Sequence, residues 1–321
     1  MKRWFLGAVS LALTSAPALA ADMPMRPLPP RYIPPPVISW TGFHVGVNAG
    51  YSWGISPFIT PSQNVAMLRV GPPVETQMAL AAAAASGQRL SAPGNGVTAG
   101  VQVGFDWQAS DSIVVGVEVD AQGFGNNKAR AQSVAVVDIP DGNGMQISSF
   151  TEGSRSLNYL GTVRARIGYL VMPTVLVYGT AGLAYGGVSG DFGISQSLAN
   201  LPLVEPNFGP PAPFAFSAWS GQSRYSTIRM GWTAGVGVEW MFMPGVSVKG
   251  EYLYYALGSQ STPAFAMQVP ANPLTGAAFG NVARATSRFD GHILRAGLNI
   301  HFGDYGTVAA PVANGPIYAR Y

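Results

Sequence analysis

From Phe43 to Gly54 apolar and polar positions alternate without a break. Phe43, Val45, Val47, Ala49, Tyr51 and Trp53 are apolar or aromatic, while His44, Gly46, Asn48, Gly50, Ser52 and Gly54 between them are small or polar. Strict period-two alternation marks a strand with two unlike faces. Its length suits a strand that crosses a bilayer at a tilt, about 9–11 residues. Aromatics close the apolar face at both ends, as they do where a lipid-facing strand meets the two membrane interfaces.

The pattern recurs seven times. Val97–Trp107 carries Val97, Ala99, Val101, Val103, Phe105 and Trp107 on one face, and Ile113–Ala121 carries Ile113, Val115, Val117, Val119 and Ala121. Tyr159–Val171 follows through Val163, Ala165, Ile167 and Tyr169. Val175–Tyr185 is less regular, because Leu176 and Tyr178 fall on its other face. Trp232–Phe242, Val246–Tyr254 and Leu294–Phe302 complete the set. The connections alternate as strictly as the residues. Gln108–Ser112, Met172–Thr174 and Met243–Gly245 are short turns, whereas Ile55–Gly96, Gln122–Asn158, Gly186–Gly231 and Tyr255–Ile293 are long. These four are far longer than ordinary hairpin loops. The prediction is an all-β fold: an eight-stranded antiparallel up-and-down transmembrane β-barrel. Its short turns face the periplasm, its four long loops face outside, and both chain ends lie on the periplasmic side. Within the first loop, the alanine run Ala81–Ala85 favours a turn or two of helix.

Charge sharpens the picture. With each register set by its apolar residues, Asp106, Glu118, Asp120, Arg164, Arg166, Glu239, Lys249, Glu251 and Arg295 all fall on the opposite, inward face. A charge on the lipid face costs about 2–4 kcal/mol near the midplane for Arg or Lys. Opposite signs on neighbouring strands then predict a lumen filled by ion pairs: Glu118 and Asp120 with Arg164 and Arg166, Glu239 with Lys249, and Glu251 with Arg295. An eight-stranded barrel has an interior just wide enough for side chains to fill. Closure requires the first strand to pair with the eighth, because lipid tolerates no open edge. That pairing brings His44 near His301 at the periplasmic end of the seam.

Only 10% of residues are charged, against about 25% in soluble domains. Lys2 and Arg3, the apolar stretch Trp4–Leu13 and Ala18-Leu19-Ala20 form an export signal over residues 1–20, cleaved near Ala20. Its loss lowers the net charge from +3 to about +1, so the basic pI points to no nucleic-acid partner. Residues 21–41 form a Pro-rich periplasmic leader, residues 42–302 the barrel, and residues 303–321 a short periplasmic tail. The absence of Cys excludes disulfides, a lipoprotein anchor and thiolate metal sites.

Chemistry is sparse. Of the three histidines, His292 alone has the height of the outer rim, with Ser287 and Asp290 near it in sequence. A Ser/His/acid site is conceivable there, but proximity in a Ser-rich loop is weak evidence. Glu118 and Asp120 lie beside Arg residues that keep both ionised, so they suit ion pairing better than acid–base work. Gly235-Val236-Gly237 lacks the helix and the Lys-Ser/Thr of a phosphate loop. The expectation is a non-enzyme with no cofactor and no metal.

The start Ala21-Asp-Met-Pro24, the Pro-rich leader and Trp40-Thr-Gly-Phe-His-Val-Gly-Val-Asn-Ala-Gly-Tyr51 resemble the alphaproteobacterial family of small outer-membrane β-barrels, which includes major surface antigens. Arg295-Ala-Gly-Leu-Asn-Ile-His-Phe302 looks like the terminal signal read by the barrel-assembly machinery, with Arg295, Gly297, Ile300 and Phe302 at its polar, glycine, apolar and aromatic positions. The resemblance implies an OmpA-type barrel embedded in outer-membrane lipid of a Gram-negative cell. It would serve envelope integrity and bind surface or host ligands through its loops. A narrow porin-like channel and a surface haem-binding or adhesin protein are the alternatives. The chain departs from the family by running on beyond Phe302 to Tyr321.

Overall fold

The computed structural model describes residues 38–54, 58–67, 73–125, 128–140, 144–199, 218–268 and 279–303. The export signal, nearly all of the leader and the tail after residue 303 lie outside them. The elements are β1 (Gly42–Gly54), β2 (Phe58–Met67), α1 (Pro73–Ser86), β3 (Leu90–Ser91), β4 (Gly96–Gln108), β5 (Ile113–Gly125), β6 (Ala129–Asp138), β7 (Gln146–Met172), β8 (Val175–Ala199), β9 (Ala218–Met243), β10 (Val246–Ser261), β11 (Phe265–Gln268) and β12 (Phe279–Phe302).

Eight of these strands pair antiparallel in the order β1-β4-β5-β7-β8-β9-β10-β12, and β12 pairs back onto β1. The seam register sets Phe43 opposite Phe302, His44 opposite His301 and Gly50 opposite Arg295. Tight turns close the ring at one end. In the β9–β10 turn Gly245 takes a φ of 79°, a left-handed conformation that glycine adopts without steric cost.

Around the lower ring the usual arrangement of a soluble protein is inverted. Val97, Ile167, Leu183, Val236 and Phe302 are among the exposed outer residues, whereas Asp106, Glu118, Arg164, Arg166, Glu239 and Arg295 are buried inside. An apolar exterior over a polar interior is stable only where the exterior meets lipid.

Among the described residues, much of each long connection is strand or helix where the sequence reading expects loop. β7, β8, β9 and β12 run on well past the lipid-facing segments, and β2, β3, β6 and β11 add further strands at that end. Period-two counting misses this extension because the apolar face changes sides. On β8 the lower outer residues Val177, Leu183 and Tyr185 are exposed, but higher up it is the inner Val188, Phe192 and Ile194 that are apolar and buried. On β7 a bulge between Leu157 and Tyr159 makes the same switch. Where water replaces lipid outside, the ordinary apolar-in arrangement returns. The helix also exceeds its predicted alanine run, reaching from Pro73 to Ser86. Met78, Ala79, Ala82 and Ala85 pack against Ile59, Ile147, Phe192, Ile194 and Trp219 inside the extension. Alanine both favours helix and is small enough to let α1 sit close among the strands.

Candidate functional site

The interior is filled in four layers. At the short-turn end Trp40, Val114, Leu170, Leu176, Tyr178 and Met241 form an apolar floor. The charged network lies above it, followed by a layer around Leu160, Val188, Leu253, Tyr255, Phe289 and Ile293. The α1 layer comes last.

Arg164 is the centre of the charged layer. Its Nη1 donates to Glu251 Oε1 at 2.6 Å and to Thr180 Oγ1 at 3.1 Å, and its Nη2 donates to Asp120 Oδ2 at 2.8 Å and to Glu118. Arg295 donates through Nε to Glu251 Oε2 at 2.7 Å and through Nη2 to Asp120 at 3.2 Å. Arg166 reaches across the lumen to Glu239 and approaches Asp106 at 3.4 Å. Its guanidinium also lies 4.0 Å from the centre of the Tyr178 ring. Tyr178 in turn covers Gly237, where a Cβ would come within 2.5 Å of the ring. Buried ions need such multiple partners, because their desolvation cost is offset only when the geometry and the hydrogen bonding are both good.

The structure therefore brings all nine inward charges into one layer, but not in every expected pairing. Lys249 sits directly opposite Glu239 in the β9–β10 register. Its Nζ nevertheless bonds Glu118 Oε2 at 2.7 Å on the far wall. Glu239 takes Arg166 instead, together with Ser247 Oγ at 2.5 Å and Asn299 Nδ2 at 2.7 Å. In so narrow a lumen, a long side chain reaches an opposite wall as easily as its neighbour.

At the seam, His44 and His301 face one another with ring centres 5.3 Å apart. His44 Nδ1 lies 3.3 Å from Asp106 Oδ2 and Nε2 lies 3.5 Å from Glu118 Oε2. His301 Nε2 is 2.8 Å from Ser247 Oγ and 3.2 Å from Glu239 Oε1. Trp40, to which the sequence reading gives no role, closes this end. It is 1% exposed, sits edge-on to His301 at 5.6 Å, and its indole N–H donates to the Pro173 carbonyl at 3.0 Å. An aromatic just before the first alternating position is the sequence signal that could have found it.

The hydrolase arrangement is not formed. Ser287 is buried on the inward parity of β12, whereas His292 faces outward, stacks on Trp53 at 5.4 Å and bonds Tyr252 Oη at 2.5 Å. Alternation puts residues of opposite parity on opposite faces, whatever their proximity in sequence. Of the four terminal-signal residues, Arg295 is buried inside, Gly297 is on the same face, and Ile300 and Phe302 point outward.

On the outside of the extension lies a groove of about 1210 Å³ that includes Arg89, Lys128, Arg130, Glu152, Asp191 and Arg224. Asp191 pairs with Arg224 and, at 3.6 Å, with Lys128. Burial raises its carboxyl pKa, but hydrogen bonds from Arg224 and Ser154 and the two cations outweigh burial and hold it below the usual carboxylate range. With a depressed folded value, the stabilisation it gives is present above the ordinary carboxylate pKa and is lost as pH falls through the folded one.

Residues 6–302 match the family described as the outer membrane protein beta-barrel domain. The chain belongs to that family. Among its relatives is the 31 kDa outer-membrane immunogenic protein of Brucella melitensis biotype 1, 30% identical over 264 residues that cover 81% of this chain and 89% of that protein. The 25 kDa outer-membrane immunogenic protein of Brucella abortus biovar 1 is 27% identical over 257 residues, 79% of this chain and 84% of the relative. Among solved structures, Neisserial surface protein A matches with a TM-score of 0.29 and 14% identity over 82% of this chain and 98% of that one. That overlap is too loose to carry a conclusion about function. As a member of this family, the chain is an all-β outer-membrane barrel of a Gram-negative envelope.

Proposed function

We propose that this outer-membrane β-barrel is an eight-stranded, plugged structural element of the envelope that presents an extended surface platform, and that it is not a channel. The observation that carries the reading is the filled interior. An apolar floor, an ion-pair layer, a second apolar layer and α1 succeed one another along the axis. Their side chains occupy the space through which a solute would have to pass. Short turns on the periplasmic side and the α1-bearing extension outside agree with the usual build of such barrels. Strand β12, with Arg295, Gly297, Ile300 and Phe302, would be the segment engaged by the barrel-assembly machinery.

A surface-interaction role is supported by the height of the extension and by the charged groove on its outer face. The Brucella relatives are named as immunogenic, and exposure at the cell surface accords with that property. A haem-binding reading has less support, because the outer-rim His292 is engaged by Tyr252 and stacked on Trp53. The decisive measurement is conductance in planar bilayers with the refolded full-length mature chain. A plugged barrel gives no stable single-channel steps, whereas large, long-lived steps abolished by a lumen mutation would overturn the proposal.

A further inference from the structure

At the short-turn end of the lumen, two imidazoles and a carboxylate from three neighbouring strands converge. His44 on β1 is registered opposite His301 on β12, and Asp106 on β4 is registered opposite Gly42, two places along the inward face from His44. One donor atom from each of the three lies within 4.8 Å of the others, and all three side chains are buried. The glycine opposite His44 makes this approach feasible: a Cβ at Gly104 would sit 2.5 Å from His44 Cε1. With no side chain there, the imidazole can lie against β4.

We propose that His44, Asp106 and His301 form a binding site for one first-row divalent metal ion of the zinc class. Two neutral imidazoles with one carboxylate are a borderline-soft donor set that suits zinc and its neighbours better than calcium or magnesium. Asp106 faces His44 through Oδ2, 3.3 Å from Nδ1, and the ion-pair network gives that oxygen only a long contact to Arg166 at 3.4 Å. Neither ring nitrogen of His44 makes a well-aligned hydrogen bond, although the ring is fully buried.

The surroundings also fit. A metal-bound histidine commonly directs its other ring N–H at a carboxylate or a hydroxyl. His44 Nε2 faces Glu118 at 3.5 Å, and His301 Nε2 faces Ser247 at 2.8 Å and Glu239 at 3.2 Å. Coordination through the Nδ1 atoms would use both pairs in that way. Charge points in the same direction. Among the described residues, the lumen layer sets the carboxylates of Asp106, Glu118, Asp120, Glu239 and Glu251 against the cations of Arg164, Arg166, Lys249 and Arg295. Leaving the two imidazoles aside, the layer sets five carboxylates against four cations, and three of those five acids border the two rings. Trp40 sits edge-on to His301, so the ion would be closed off from the turn end.

The test uses the untagged mature chain refolded in detergent, dialysed against Co²⁺ or Zn²⁺. The proposal expects about one ion per chain, intense visible bands from bound Co²⁺, and their loss when Zn²⁺ displaces it. Loss of an outer-shell partner alone commonly weakens a metal about 10–100-fold, so His301→Asn and Asp106→Asn should weaken binding at least tenfold, while His292→Ala leaves it unchanged. Heat-modifiable gel mobility checks that each variant is folded. A wild-type measurement stands apart from the variants: with only three histidines in the chain, ¹⁵N-imidazole signals of two should move on Zn²⁺ addition while that of His292 stays. If the folded chain takes up no ion, if His292 alone responds, or if a folded His301→Asn variant binds as the wild type does, the proposal is overturned.

Discussion

Without Arg164, the carboxylates of Glu118, Asp120 and Glu251 would lose the one cation that joins all three and be left to Lys249, Arg295 and Thr162. Breaking a buried pair by removing one partner commonly costs about 3–5 kcal/mol. Arg164→Met should therefore lower the unfolding free energy of the refolded barrel by roughly that amount in urea titrations followed by gel mobility. The Lys128–Asp191–Arg224 cluster on the outer face is the contrasting case, since exposed pairs contribute about 0–1 kcal/mol. An Arg164→Met effect no larger than that of Asp191→Asn would sink the idea of a cohesive charged layer. Residue parity in the sequence identifies which charges face inward, because alternation is a local property. It does not identify every partner. Lys249 bypasses its registered neighbour Glu239 for Glu118, a choice set by lumen width and side-chain reach. Trp40 precedes the first alternating position, so periodicity assigns it to neither face.

At the scale of elements, the lipid-facing halves of the strands are legible in sequence and the water-facing halves are not. An apolar outer face is an unusual demand, and it leaves a clean period-two signal. Above it, Ser, Gly and Thr are frequent and the apolar side moves inward, so the upper parts of β7, β8, β9 and β12 read as loop. Helix α1 is legible only in part, for a different reason. The alanines of its second half give it no strong apolar stripe, and its burial depends on a cylinder of strands assembled from distant parts of the chain. That packing is testable. Ala82 is fully buried and its carbonyl accepts Gln196 Nε2 at 2.6 Å, so Ala82→Leu overfills the layer at a cost of about 1–3 kcal/mol. Proteolysis within the extension should accelerate in this variant, while the heat-modifiable mobility of the lower ring persists. Loss of both together would mean that the two levels are not separable.

For the whole molecule, the charged layer draws on strands that are far apart in the chain. Asp106 lies on β4, Arg164 on β7, Glu251 on β10 and Arg295 on β12, and β12 is also the partner of β1. A chain ended at Arg288 lacks the seam residues from His292 onward and should yield no heat-modifiable species, however strong its remaining strand pairs. A compact, shifted band from that truncation would contradict ring closure as the basis of stability. The seam also sets a timetable. The first strand to leave the ribosome waits for the last, and until then two edges and an unmatched set of ions must be kept from water-borne misassociation. Contacts of such sequence separation form slowly. The vulnerable interval in this protein's life is therefore its transit, and the burden of that interval falls on whatever escorts the unclosed chain.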